Sequence, residues 1–220
     1  MTAPTPSLPP DPGDSNTGFA AAHERPESND AKAVVGRETS QPAPRGGIQV
    51  RLADGNDLEG VVAVGRATWP ITHGEFYDPD LVELFLAKWW TSEATIPAIR
   101  AGRTVVAESL DHLDENGKPQ IVGMAAYGGH QGAQVIWKLY VLPQWQRHGI
   151  GGMLLRAVFS RIGDQPIHMS FPDGNRAAGD FSRAYGFVED HREEQHDMPD
   201  LVWMRRDPAI GSIVLRRAPR

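Results

Sequence analysis

The chain reads as an α/β (mixed α+β) domain, a central mixed and mostly antiparallel sheet of about six to seven strands flanked by helices. Three observations predict this. Beyond residue 47, short runs rich in β-branched and aromatic residues interleave with stretches of helical apolar spacing. Asn116-Gly117, the strongest short hairpin signal, lies between two such runs and predicts an antiparallel pair. Val135–Val141 runs through a glycine-containing turn into a helix before the next strand, and strands joined through a helix favour parallel pairing.

Residues 1–46 are different material. They hold eight of the 18 prolines, and Phe19 is their only Phe, Tyr or Trp. Such a segment cannot bury enough apolar surface to offset its ordering entropy, which predicts a disordered, Pro-rich tail. The domain is expected over residues 47–206, with 207–220 a C-terminal extension of no clear period. A hydrophobic share of 40% and a charged share of 23% are globular values. The net charge of −6 argues against a general nucleic-acid binder. With no cysteine there is no disulfide framework, Cys-ligated metal or cysteine nucleophile. The N-terminus lacks the pattern of a secretory leader, and no apolar stretch approaches a membrane-spanning length. These features predict a cytoplasmic protein with neither nucleic acid nor membrane as a partner.

Ile48–Leu52 alternates as a strand. Asp54 or Asn56 can cap the following helix, whose stripe is Leu58, Val61, Val62, Val64 and Ala67. Thr68–Tyr77 contains Pro and Gly and reads as a loop or broken helix. A second helix begins near Pro79, with Leu81, Leu84, Phe85, Lys88 and Trp89 expected inside. Thr104–Ser109 and Ile121–Tyr127 are the hairpin strands, and Val135–Val141 pairs next across the turn at Gly128–Gly132. After the helix that follows come the strand Pro166–Phe171, a helix ended by Gly186, a loop or frayed strand over Glu189–His196, and a last strand at Leu201–Arg206. An exposed Trp89 or Trp90 would make a homodimer unsurprising.

The turn after Val141 carries the chemistry. Ile150, Met153, Leu154, Ala157, Val158 and Ile162 mark one buried helix face, so a strand enters a turn that opens a helix. The first turn of a helix leaves backbone N–H groups without partners and carries partial positive charge. Gly149, Gly151 and Gly152 place no side chain over that backbone, so the site suits a phosphate or pyrophosphate. A P-loop would need Gly-Lys-Ser/Thr at the helix start, and a dinucleotide fingerprint would need a third Gly where Leu154 stands. What fits is Gln/Arg-x-x-Gly-x-Gly/Ala, as Gln146-Arg147-His148-Gly149-Ile150-Gly151.

That run, with Leu139–Pro143 before it, closely resembles the acetyl-CoA-binding motif of the GNAT superfamily of N-acetyltransferases. A second stretch resembles the signature Asn-x-x-Ala-x-x-Phe-Tyr-x-x-x-Gly-Phe, matched by Asn175, Ala178, Phe181, Gly186 and Phe187. The order of elements over about residues 48–206 is similar too. The resemblance implies acetyl-CoA as co-substrate and an amine as acceptor, with no metal, in a sheet whose strands splay at the acyl-CoA site. It implies that Leu139, Tyr140 and Val141 offer backbone to the pantetheine arm. Gln146, Arg147, His148, Gly149, Ile150, Gly151 and Gly152 would surround the pyrophosphate, and Asn175 would touch the cofactor.

Acetyl transfer needs a neutral amine, yet a lysine-like ammonium has a pKa of about 10.4. A base is wanted, and the departing thiolate can accept a proton. The tyrosine that often follows the Phe of the second motif is Ser182 here, a thiol-side contact, with Tyr185 and Tyr140 as candidate substitute acids. His130, beside the core strand, and Glu75, in the loop that lines the acceptor site of the family, are the candidate bases. Glu75, Asp78, Asp80 and Glu83 form an acidic cluster that could select a cationic amine, although Asp78 and Asp80 could equally cap a helix. The alternative functions are a non-catalytic acyl-CoA sensor and a partner-binding protein working through its tail.

Overall fold

The computed structural model describes residues 47–130 and 132–208, so the expectations for the tail and for most of the C-terminal extension lie outside the described residues. In chain order the elements are β1 (Ile48–Leu52), α1 (Leu58–His73), α2 (Pro79–Trp89), α3 (Ser92–Arg100), β2 (Thr104–Leu113), β3 (Pro119–His130), β4 (Ala133–Val141), α4 (Ile150–Ile162), β5 (Ile167–Pro172), α5 (Arg176–Ala184), β6 (Val188–Glu193) and β7 (Leu201–Arg206). Seven strands form one sheet in the order β1-β2-β3-β4-β5-β7-β6. Only β4 and β5 run parallel, as the helical connection between them requires. Every other adjacent pair is antiparallel.

Successive residues of a strand point to opposite faces. Tyr140 of β4 meets α1, whereas Val141 lies with Leu154 of α4 beside Gly123. The helices α1 and α4 therefore cover opposite faces. Between them sit Val64, Phe85, Met124, Leu154, Leu155 and Phe187, each at most 2% exposed. Truncating one such leucine to alanine typically costs about 2–5 kcal/mol.

A break in register sets the shape of the site. Ala126 of β3 pairs with Lys138 while Tyr127 pairs with Ile136, so Trp137 is an extra, bulged residue in β4. The parallel pairing of β4 with β5 covers only Gln134–Ile136 against Ile167–Met169. It stops where the bulge begins. From Trp137 to Val141 the β5-facing flank of β4 is unpaired, and the sheet opens there as a wedge.

Five expectations are revised. Of the loop or broken helix expected over Thr68–Tyr77, the first part is unbroken helix, because α1 continues through Pro70 to His73. An interior proline costs about 3 kcal/mol, and here the burial of Trp69 against Phe85, Tyr77 and Trp89 outweighs it. The inner face of α2 is Val82 and Phe85, while Leu84 is half exposed and Lys88 points outward. Helix α3 lies outside the elements expected from sequence, since Pro97 hides it, although Thr91 caps it by accepting the Ala94 N–H at 3.2 Å. Of the loop or frayed strand expected over Glu189–His196, the strand is found and is regular: Val188–Glu193 forms the edge strand β6, whose exposed charges suit an edge. Trp90 is buried and Trp89 stacks on Phe85 with ring centroids 4.6 Å apart, so neither supplies the exposed aromatic surface expected for a second copy.

Candidate functional site

The wedge between β4 and β5 leads directly to the start of α4. A short 3-10 turn at Pro143–Trp145 reverses the chain, anchored by buried Trp145. Gln146 then donates its side-chain amide back to the Val141 carbonyl at 3.0 Å, tying the turn to the end of β4. Arg147 has φ of 63° and Gly149 has φ of 80°, two left-handed residues that turn the backbone sharply into the helix. Gly149 stands at the N-cap, and no side chain caps the helix. Gln146, Arg147, His148 and Gly149 are exposed, and a Cβ on Gly149 would meet nothing within 4 Å. Uncapped N–H groups, an open approach and the helix dipole fit the pyrophosphate of a CoA thioester. The flank of Leu139–Val141 that β5 leaves unpaired fits its pantetheine arm, with the Val141 carbonyl already held by Gln146.

The second motif packs against this helix start. Asn175 caps α5, its Oδ1 accepting the Ala178 N–H at 3.0 Å. The Phe181 ring reaches within 3.3 Å of where a Cβ on Gly151 would stand, and the Tyr185 hydroxyl within 1.7 Å of that point on Gly152. Gly152 is buried, and the side chain it lacks leaves the place that the Tyr185 hydroxyl fills. Ser182 is fully buried and donates its hydroxyl to the Gly179 carbonyl at 2.9 Å, within its own helix.

Three loops meet at the mouth of the wedge. Phe76, in the turn between α1 and α2, lies 3.4 Å from the Cβ position of Gly174, just beyond β5. Asp173 donates its N–H to the Asp200 carbonyl at 2.7 Å and accepts from Arg192 at 2.9 Å, which joins the β6–β7 segment to the same place. Glu75 is exposed in the α1–α2 turn, as are Asp78, Asp80 and Glu83. Asp78 occupies the N-cap of α2 but makes no side-chain capping bond, so helix capping does not engage it. His130 ends β3 opposite Ala133, at the far end of β4 from the Gly149 turn, with its ring 5.6 Å from that of Trp137.

The structure adds a residue outside the candidates read from sequence. His73, in the last turn of α1, sits among Trp69, Tyr77 and Tyr140 with ring centroids at 4.3, 5.8 and 6.2 Å. Its Nε2 is 3.2 Å from the Tyr140 hydroxyl, and its Nδ1 is buried with no hydrogen-bond partner. Desolvation brings the imidazole down to about 4 and pushes the Tyr77 phenol up to about 12. Burial likewise raises the Tyr140 phenol, against a hydrogen bond from Trp69 that lowers it. The signal available in sequence was a histidine inside the Thr68–Tyr77 stretch, two residues before Glu75 of the loop expected to line the acceptor site.

Among the described residues no group of His, Asp and Glu side chains is placed to hold a metal ion, and no helix is long and apolar enough to cross a membrane. Comparison with known proteins agrees with the geometry. Residues 101–189 match the family described as acetyltransferase (GNAT) domain. A probable N-acetyltransferase of Mycobacterium tuberculosis is 28% identical over 141 residues, covering 62% of this chain and 78% of that protein. The PaiA N-acetyltransferase of Thermoplasma acidophilum, solved in complex with coenzyme A, superposes with a TM-score of 0.59 at 18% identity, over 73% of this chain and 99% of that one. Arabidopsis thaliana Naa50, bound to the bisubstrate analogue CoA-Ac-MVNAL, gives a TM-score of 0.51 at 19% identity, over 73% and 98%. At such identities the two structures speak for the fold alone.

Proposed function

We infer that this chain is an acetyltransferase of the GNAT type and moves an acetyl group from acetyl-CoA to a primary amine by direct attack in a ternary complex. One observation carries the reading: the flank of β4 that β5 leaves unpaired leads, through the turn at Pro143–Trp145, to the uncapped, glycine-led start of α4. A thioester on an extended arm with a pyrophosphate at its root has the same sequence of needs. The arm takes strand-like hydrogen bonds from Leu139–Val141, and the anion takes the helix N–H groups. Bound this way, the cofactor supplies an activated acetyl carbon held at the bulge.

The acceptor enters from the mouth formed by the α1–α2 turn, the β5–α5 turn and the β6–β7 segment. Glu75, Asp78, Asp80 and Glu83 give one side of that mouth a negative field, which favours an acceptor carrying positive charge. Because the Ser182 proton is engaged by Gly179, protonation of the leaving sulfur falls to another group.

Calorimetric titration of acetyl-CoA into the wild-type protein and into a Gly149→Glu, Gly151→Glu double variant tests the reading, followed by thiol-release assays across a library of amines. Micromolar binding lost in the variant, with thiol released by at least one amine, is the expected result. A folded wild-type protein that ignores acetyl-CoA overturns it. Binding without turnover of any amine identifies an acyl-CoA sensor instead.

A further inference from the structure

We propose that Tyr140 and His73 form a proton relay that takes the proton of the attacking amine and returns it to the departing thiolate. The relay deepens the acetyl-transfer reading and rests on it. Tyr140 lies between Leu139 and Val141, on the part of β4 that β5 leaves unpaired. It points to the α1 face, where α1 ends beside the acceptor mouth. Its hydroxyl is 3.2 Å from His73 Nε2.

A histidine kept only for packing is normally satisfied at both nitrogens. His73 is bonded at Nε2 alone, since Nδ1 is buried without a partner. With the ring proton on Nδ1, Nε2 accepts the Tyr140 O–H, which leaves the phenol oxygen free to receive a proton from the other side. Trp69, beside the same oxygen, lowers the phenol's pKa against the rise from burial, which favours negative charge developing there. The titratable groups facing the imidazole are Tyr77 from the α1–α2 turn and Tyr140 from β4. Lys138, two residues before Tyr140 on the same face, directs its ammonium to the Trp89 carbonyl at 2.9 Å and over the Trp90 ring at 4.2 Å.

The amine lone pair attacks the thioester carbon, forming N–C while the carbonyl π pair moves to oxygen. The N–H proton passes to the Tyr140 oxygen as the Tyr140 proton passes to His73 Nε2. Collapse re-forms C=O and breaks C–S, and the electron pair leaves on sulfur. The imidazolium then returns its proton through Tyr140 to the thiolate, which closes the cycle with neutral His73, amide and free thiol. Desolvation, which holds the imidazole near 4, works for the second half. An imidazolium that acidic gives its proton readily to a thiolate, whose acid has a pKa of about 8.5 by analogy with cysteine. One pair thus serves as base and acid in turn.

Tyr140→Phe, His73→Asn and the double variant are compared with wild type for kcat, both KM values and acetyl-CoA affinity. Each single change is expected to lower kcat about 100-fold, the usual scale of positioned proton transfer. Affinity and KM for acetyl-CoA should move less than about twofold, and the double variant should be no slower than the worse single one. The Tyr140→Phe rate should climb roughly tenfold per pH unit above neutrality, as hydroxide replaces the lost base. Tyr140→Phe with wild-type kcat overturns the relay and leaves acetyl transfer standing. Loss confined to His73→Asn and accompanied by a lower melting temperature also overturns it, because His73 would then act only in packing. A wild-type protein that binds acetyl-CoA but acetylates no amine removes the relay together with the reading beneath it.

Discussion

The two ends of α1 hold buried titratable clusters built on opposite plans. At its start Arg51 reaches from β1 to both oxygens of Asp57, at 2.6 and 2.9 Å, and to Glu108 of β2 at 2.6 Å. Asp57 also accepts the Asp54 N–H at 2.8 Å, so that side chain closes a capping box as well as an ion pair. Both acids are nearly buried, at 6% and 7% exposed. At the far end His73 has one hydrogen-bond partner and a ring of aromatics. The first cluster satisfies every charge and fixes β1, β2 and α1 together. The second leaves a nitrogen unmatched beside the wedge. A buried group whose bonds are complete is busy with structure, whereas an incomplete one is where chemistry should be sought.

Removing Arg51 should break the satisfied end most severely. Arg51→Met leaves two buried carboxylates facing one another, and an uncompensated buried charge typically costs about 3–5 kcal/mol. Because 31% of the Arg51 side chain is exposed, the low end of that range is expected. Urea denaturation at pH 7 measures it, and acetyl-CoA affinity of the folded fraction should stay at the wild-type value. A loss below about 1 kcal/mol would mean that solvent screens the network, and that the two ends of α1 differ less than their geometry implies.

The ends should also separate on a pH axis. Asp57 is pushed up by burial, but the Arg51 hydrogen bond, the Asp54 N–H and the nearby positive charges together bring it below the ordinary carboxylate value of 3.8. A depressed acid contributes stability above its unfolded pKa and loses it as pH falls through the folded one, so this end weakens only below about pH 4. His73 lies near 4 in the fold against 6.5 unfolded. The unfolded chain binds the proton first, so stability is full above pH 6.5 and declines towards pH 4, on the order of 2–3 kcal/mol. Urea midpoints of wild type and His73→Asn at pH 7 and pH 4.5 read this directly. The gap between the two pH values should shrink in the variant, and an unchanged gap would place the acid sensitivity elsewhere.

What could be read from the sequence follows the same division. The Gly149 turn, the Asn116-Gly117 hairpin and the Asn175–Phe187 helix are local: their glycines and caps act on residues a few places away. The relay and the ion network are not local, since Tyr140 is 67 residues from His73 and Glu108 is 57 from Arg51. Only the sheet order brings these pairs together. The bulge at Trp137 is intermediate in kind. A strand at Val135–Val141 was visible, but the extra residue that ends its pairing with β5 depends on the register with β3. Gly152 shows the remaining difficulty, because its sequence context suggested room for a ligand and its missing side chain instead admits Tyr185.

The smallest expected effect sharpens the comparison from within the satisfied end. Asp54 and Asp57 stand three residues apart, and both accept backbone N–H groups, Asp54 from Asn56 at 2.7 Å and Asp57 from Asp54 at 2.8 Å. Asp54 is exposed and has no share in the Arg51 bonds. Asp54→Ala therefore removes a cap and nothing else, a change that typically costs about 1 kcal/mol. The Asp57 carboxylate keeps Arg51, and it still accepts the backbone N–H of the substituted position, which the change leaves in place. The shift should appear in the melting temperature and leave thiol release by the folded enzyme unaltered. If Asp54→Ala instead costs as much as Arg51→Met, the cap and the ion pair form one cooperative unit, and the start of α1 is held by the turn as much as by charge.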